Sequence, residues 1–205
     1  MEVNECLIKN LENAIKEEVF VSTMLNYKRE LIYKVIDKIN NQEDKIKDLG
    51  INENFIKDIM TLELDRVKYY LKKYLRARLN KIEKNIFYIF QNDLVNIMTK
   101  EEFNYATAFY KLLVKNYNHS FFSKVDKKFG EIIFNNNVLE NKSTNLFNKI
   151  VEPPNEDNYV FVRSIQVPQK IYIDRVEKTL TDQDVSFIQY KYIKEFISLK
   201  KSIII

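Results

Sequence analysis

The sequence predicts a mainly α protein in which an N-terminal helical bundle is followed by a small β-rich C-terminal domain. Three observations carry this reading. Apolar residues recur every three or four positions from Val3 to Phe121, and the whole 205-residue chain has only 2 glycines and 3 prolines to interrupt such a pattern. Pro153 and Pro154 then mark a break. Beyond them the apolar period changes to two, in short runs rich in β-branched and aromatic residues. The expected divisions are a helical domain over 1–122, a linker over 123–155 and a β-rich domain over 156–205.

The first helix is expected over 3–19, with Val3, Leu7, Leu11, Ala14 and Ile15 on its buried face. After a break around Ser22–Asn26, the pattern returns at Leu31, Ile32, Val35, Ile36, Ile39 and Ile46. It closes near Leu49, where Gly50 suits a helix C-terminus. The third stretch aligns Phe55, Ile59, Met60, Leu64, Val67, Leu71, Tyr74, Leu75, Leu79, Ile82, Ile86 and Ile89. Continuous from Asn52 to Phe90, it would be about 58 Å long. A rod of that length outruns a small core, so its stripe is expected to serve both its own bundle and another chain. Thr99-Lys-Glu-Glu102 is a capping box, with Met98 and Phe103 as the hydrophobic staple. The helix it opens buries Tyr105, Ala106, Phe109, Leu112, Leu113 and Tyr117 and reaches about Phe121.

The linker contains Asn135, Asn136, Asn137 and the proline pair, with a helix of a few turns in LENKSTNLFNKIV as an alternative within it. Strands are expected at Tyr159–Ile165, Lys170–Val176, Val185–Tyr192 and Ser202–Ile205. A module of about 50 residues buries too little surface to stand alone, so docking is expected.

Composition excludes several function classes. Two glycines cannot build a glycine-rich phosphate loop. His119 is the only histidine; it lies near a helix end, where a surface or capping role is expected, and HExxH is impossible. The single Cys6 supplies neither a disulfide framework nor a CxxC pair; it sits in an apolar helical pattern, so packing is expected. No apolar run reaches the roughly 18 residues of a membrane span, and the N-terminus lacks signal-peptide layout. The expectation is a soluble, intracellular protein with no membrane partner, no catalytic constellation, no metal site and no cofactor. Thirty-three Lys and Arg against twenty-nine Asp and Glu give +4, too little to demand a nucleic-acid partner.

Local charge is denser. Lys68, Lys72, Lys73, Arg76, Arg78, Lys81 and Lys84 share a segment with Tyr69, Tyr70 and Tyr74, a combination that suits phosphate contact and stacking on single strands. On a helical wheel Lys72, Lys73 and Arg76 point away from the stripe through Leu71, and Lys81 lies to one side. The charges thus surround the rod, and a solvated face outweighs a weak DNA contact. Arg78 differs, because it falls within the stripe between Leu71, Leu75 and Ile82. Its guanidinium must snorkel to water or find a buried acceptor, and a planar fork suits a carboxylate. Glu63, at the stripe's edge, is a candidate interface acid.

Glu63-Leu-Asp-Arg66, followed by Tyr74-Leu-Arg-Ala-Arg-Leu-Asn-Lys-Ile-Glu83, resembles the Sld-five type of subunit in the GINS DNA replication complex. Glu101, Glu102, Phe103, Ala106 and Phe109, then Tyr159-Val-Phe-Val-Arg163, then Tyr190-Lys191 keep the family order. The resemblance implies a nuclear, non-catalytic structural subunit of a heterotetramer with three sister Psf proteins. It also implies that this complex binds the minichromosome-maintenance ring and a Cdc-forty-five-type protein in the replicative helicase. The interface or structural candidates are Glu63, Arg66, Leu71, Tyr74, Leu75, Arg78, Ile82, Tyr159, Phe161 and Tyr190. Two departures are expected: the acidic N-terminal extension of some relatives is absent, and a Lys200–Lys201 pair replaces the glycine before the last strand. A stand-alone basic helical protein that binds nucleic acid is the alternative function.

Overall fold

The computed structural model describes residues 2–50, 54–92, 94–120, 124, 151–165, 169–173, 175–181, 183–199 and 201–205. Its helices are α1 (Glu2–Phe20), α2 (Arg29–Asp48), α3 (Asn54–Lys84), α4 (Ile86–Gln91) and α5 (Lys100–Ser120), with a 3-10 turn at Leu94–Ile97. The C-terminal part contains β1 (Tyr159–Ser164), β2 (Gln169–Ile173), β3 (Val176–Leu180), β4 (Val185–Gln189), α6 (Tyr190–Ser198) and β5 (Ser202–Ile204). A mainly α chain with a small antiparallel β region is the expected fold class. The linker expectation, including its alternative helix, falls largely on residues 125–150, outside the described residues.

The chain divides into two compact units. The first comprises Met1–Ser22, Lys28–Arg78 and Glu156–Ile205. In it α1 packs on α2; Leu11, Ala14 and Ile15 are buried on α1, and Ile32, Val35 and Ile39 on α2. These are the three- and four-residue spacings of one helix face. The side chain expected inward at Val3 lies outside the described residues. Cys6 corrects the sequence reading: it is exposed, because it lies about 140° round the helix from Leu11. The end of α2 is a second correction. Leu49 leaves the helix in an extended conformation, φ −67° and ψ 132°, and no described glycine has a positive φ, so Gly50 is not a left-handed cap.

β1 is the central strand of an antiparallel sheet ordered β4-β1-β5. It pairs Val160 with Ile188 and Val162 with Ile204, all four buried. α6 covers this core with Tyr190, Ile193 and Ile197 and contacts β2, β4 and β5, while β5 also packs on α1. Asn158 Nδ2 donates to Ser22 Oγ at 2.9 Å. The small β module thus docks on helix, as its size requires. Two strand expectations are corrected. The run Val185–Tyr192 ends as strand at Gln189, because Tyr190, Ile193 and Ile197 have helical spacing and face the sheet. Lys170–Val176 is divided by a turn in which Arg175 takes φ 71°, giving the β2–β3 hairpin. At the end of α6, the Leu199 N–H donates to the Glu195 carbonyl and the Lys201 N–H to the Phe196 carbonyl; Lys200 lies outside the described residues.

The second unit comprises Thr23–Tyr27 and Leu79–Asn155. Its core is Ile82, Ile86, Ile89, Met98, Ala106, Tyr110 and Val114, ringed by Phe87, Phe90, Phe103 and Phe109. Tyr110 meets Phe90 at 5.1 Å and the edge of Phe87 at 5.7 Å between ring centroids. The capping box is formed: the Glu102 N–H donates to Thr99 Oγ1 at 3.1 Å, and the Thr99 N–H to Glu102 Oε2 at 2.9 Å. Met98 and Phe103 both join the core, as the staple requires.

The long rod is interrupted at Asn85, φ −113° and ψ 23°. Hydrogen bonds of helical spacing still flank the break, from the Asn85 N–H to the Lys81 carbonyl at 3.0 Å and from the Ile89 N–H to the Asn85 carbonyl at 2.9 Å. α3 therefore has 31 residues, about 46 Å. On α5 the buried line is Ala106, Tyr110 and Val114. Tyr105, Leu112 and Tyr117, expected inside, are exposed; apolar residues occupy more of the wheel than this core can cover.

Candidate assembly surface

α3 has apolar residues on two sides. Leu64, Tyr74 and Arg78 are buried, with Met60, Val67 and Leu71 half-buried on the same line, at repeated three- and four-residue spacing. Phe55, Ile59 and Leu62 occupy another side, about 130° round from that line and within an arc of about 60°; Ile56 lies in line with Tyr74 near the start of the helix. All four are exposed, Phe55 by 76% and Leu62 by 68%. Phe55 and Ile59, read from sequence as part of the common stripe, are corrected: they belong to the outward face. A concentration of large apolar side chains at one helix end is the signature of a contact surface.

About 18–24 Å further along α3 from Leu62, the helix is held by polar contacts. Arg78 is fully buried, its Nη1 3.5 Å from Glu18 Oε2 on α1, and the two side chains are 0% and 2% exposed. Its guanidinium carbon also lies 5.9 Å from the Tyr74 ring centroid. Tyr74 Oη accepts from the Lys28 N–H at 3.4 Å, and the Lys28 ammonium pairs with Glu17. Arg78 therefore does not snorkel. Sequence reasoning missed Glu18, although it continues the Leu11, Ala14, Ile15 line on α1. A carboxylate in the extension of an apolar face was the available signal.

The other candidates are dispersed. Glu63 and Arg66 are half-exposed and pair along α3 at 3.5 Å, with the Arg66 guanidinium 5.9 Å from the Tyr70 ring. Leu71 and Leu75 are half-buried. Ile82 belongs to the core of the second unit. Tyr159 and Phe161 point outward from β1, whereas Tyr190 is buried and its N–H donates to the Asn158 carbonyl. The structure does not gather these residues into one site.

The basic residues do not form a groove either. Lys68 pairs with Glu43 of α2 at 2.6 Å. Lys81, read as lying to one side of a solvated rod, is buried, and its Nζ donates to the Thr23 carbonyl at 2.9 Å. Lys72, Lys73, Arg76 and Lys84 are exposed. His119 is exposed in the last turn of α5. Among the described residues no His, Cys, Asp and Glu cluster could hold a metal ion, and no helix is long and apolar enough to cross a membrane.

Comparison with known proteins adds a family. The Sld5 family model, described as the GINS complex protein helical bundle domain, matches residues 25–121. The chain is similar to the DNA replication complex GINS protein SLD5 of Yarrowia lipolytica, 26% identical over an alignment that covers 96% of this chain and 75% of the relative. The protein of that name in Schizosaccharomyces pombe is 28% identical over 86% of this chain and 81% of its own length. The mouse protein is 27% identical over 82% of this chain and 72% of its own length.

Proposed function

We propose that the chain, which is similar to Sld5 proteins of the GINS complex, is a non-catalytic structural subunit of a heterotetramer with three sister Psf proteins. In this reading it acts in the nucleus and supports assembly and activity of the replicative helicase, through the minichromosome-maintenance ring and a Cdc-forty-five-type protein. The observation that carries the assembly role is the exposed apolar face of Phe55, Ile59 and Leu62. An isolated chain would leave it in water, whereas a partner helix laid along it recovers about 25 cal/mol for each Å² covered. The alternative of a stand-alone nucleic-acid-binding protein has less support, because Lys68, Arg78 and Lys81 are each engaged within the chain.

The test is to recover the tagged chain from its own cells beside an Ile59→Asp, Leu62→Asp variant. Three stoichiometric partner chains are expected with the first and not with the second. Expressed alone, the parent chain should self-associate by light scattering and the variant should not. A monodisperse parent chain that recovers no partner overturns the proposal.

A further inference from the structure

The C-terminal sheet has a second unpartnered face. β1 alternates strictly, sending Val160, Val162 and Ser164 inward and Tyr159, Phe161 and Arg163 outward. Its register with β4 sets Phe187 opposite Phe161 and Val185 opposite Arg163. The Phe187 ring lies 5.0 Å from that of Tyr159 and 4.6 Å from that of Phe161, centroid to centroid. All three rings are more than half exposed, and so is Val185. An aromatic side chain presents 150–250 Å², so these rings leave about 300 Å² in water. That equals the largest apolar patch of an ordinary monomer.

The chemistry of the face selects its occupant. The rings pack against one another, so each neighbour takes up part of a π face that a nucleobase would need. One arginine is also too few to follow a phosphate backbone. Among the described residues Arg163 has no carboxylate partner, and the outward residues of β1 and β4 include no acid. A second copy would therefore bring another Arg163 and no answering charge. A standard contact covers about 800 Å² on each side, so the rings would form its core and Arg163 part of its rim.

We propose that the Tyr159–Phe161–Phe187 face docks a different protein chain, whose contact surface is apolar and places a carboxylate opposite Arg163. The inference rests on the assembly reading and deepens it. The rings stand on β1 and β4, whereas the apolar face of the assembly reading is on α3.

The test uses the full tagged chain in its own cells. With p-benzoylphenylalanine in place of Phe187, photolysis should join the chain to one of the stoichiometric co-purifying chains. Arg163→Glu should lower recovery of that chain about tenfold and spare the others, with Arg163→Lys restoring most of it. Arg163 is exposed, so its variants keep the fold. Crosslinking to DNA, to a second copy or to nothing overturns the inference, as does full recovery with Arg163→Glu. If Leu62→Asp abolishes co-purification while Arg163→Glu and Phe187→Ser do not, the inference fails and the assembly reading stands. If the parent chain recovers no partner, the assembly reading fails first.

Discussion

Removing Glu18 should damage the protein far more than removing any charge on the outer side of α3. Glu18 and Arg78 form an ion pair at 3.5 Å with both side chains out of water. At that distance their attraction is about 5 kcal/mol for an effective dielectric constant of about 20. Desolvation of the two ions offsets most of it, so the pair as a whole adds little compared with two apolar residues. Loss of one partner is different. Glu18→Leu leaves a guanidinium in a dry site, at a cost of about 3–5 kcal/mol, or a fall in melting temperature of about 6–20 °C for a chain of this size. Replacing both, with Glu18→Leu and Arg78→Met, should recover most of that loss. Lys73→Ala, which removes an exposed charge, should change the stability by less than about 1 kcal/mol. The measurement is thermal unfolding of the full chain co-expressed with its partners, for both single variants and the double. A Glu18→Leu variant within about 1 kcal/mol of the parent, or a double variant worse than either single, would refute the buried-pair argument.

Three other outcomes are expected. Thr99→Ala removes the hydroxyl that accepts from the Glu102 N–H and should cost about 1 kcal/mol, which the same melts would show; Thr99→Ser should restore it. Gln183 has φ 62° in the turn before β4, a conformation that strains a side-chain-bearing residue, so Gln183→Gly should raise the stability by about 0.5–1 kcal/mol. The Asp184 carboxyl is held below its ordinary value of 3.8 by the Thr181 hydroxyl and then by the Thr181 N–H. A depressed value stabilises the fold above 3.8, and that contribution disappears as the pH falls through the lower folded value. Urea midpoints of Asp184→Asn should therefore trail the parent at neutral pH and converge with it in acid below 3.8, and a gap that widens in acid would contradict the assignment.

What sequence alone determined about this protein is what neighbouring residues decide among themselves. The Thr99–Glu102 box could be read to the atom because donor and acceptor are three residues apart. The inward and outward alternation of Tyr159–Ser164 follows from the pleat of any strand with one buried face. Arg78 could be placed within an apolar stripe by counting turns. Its partner Glu18 could not be named, because 60 positions of chain separate the two and only the packing of α1 on α3 brings them together. The same limit made Phe55 and Ile59 look continuous with Leu64 and Tyr74. Apolar residues cover more than one side of α3, and periodicity records that they recur without saying which side finds a neighbour. The break at Asn85, the choice of Ala106, Tyr110 and Val114 over Leu112, and the helix after Gln189 were settled likewise. Each depends on a surface supplied by a distant part of the chain, and the free energy of burial exists only once that surface is in place.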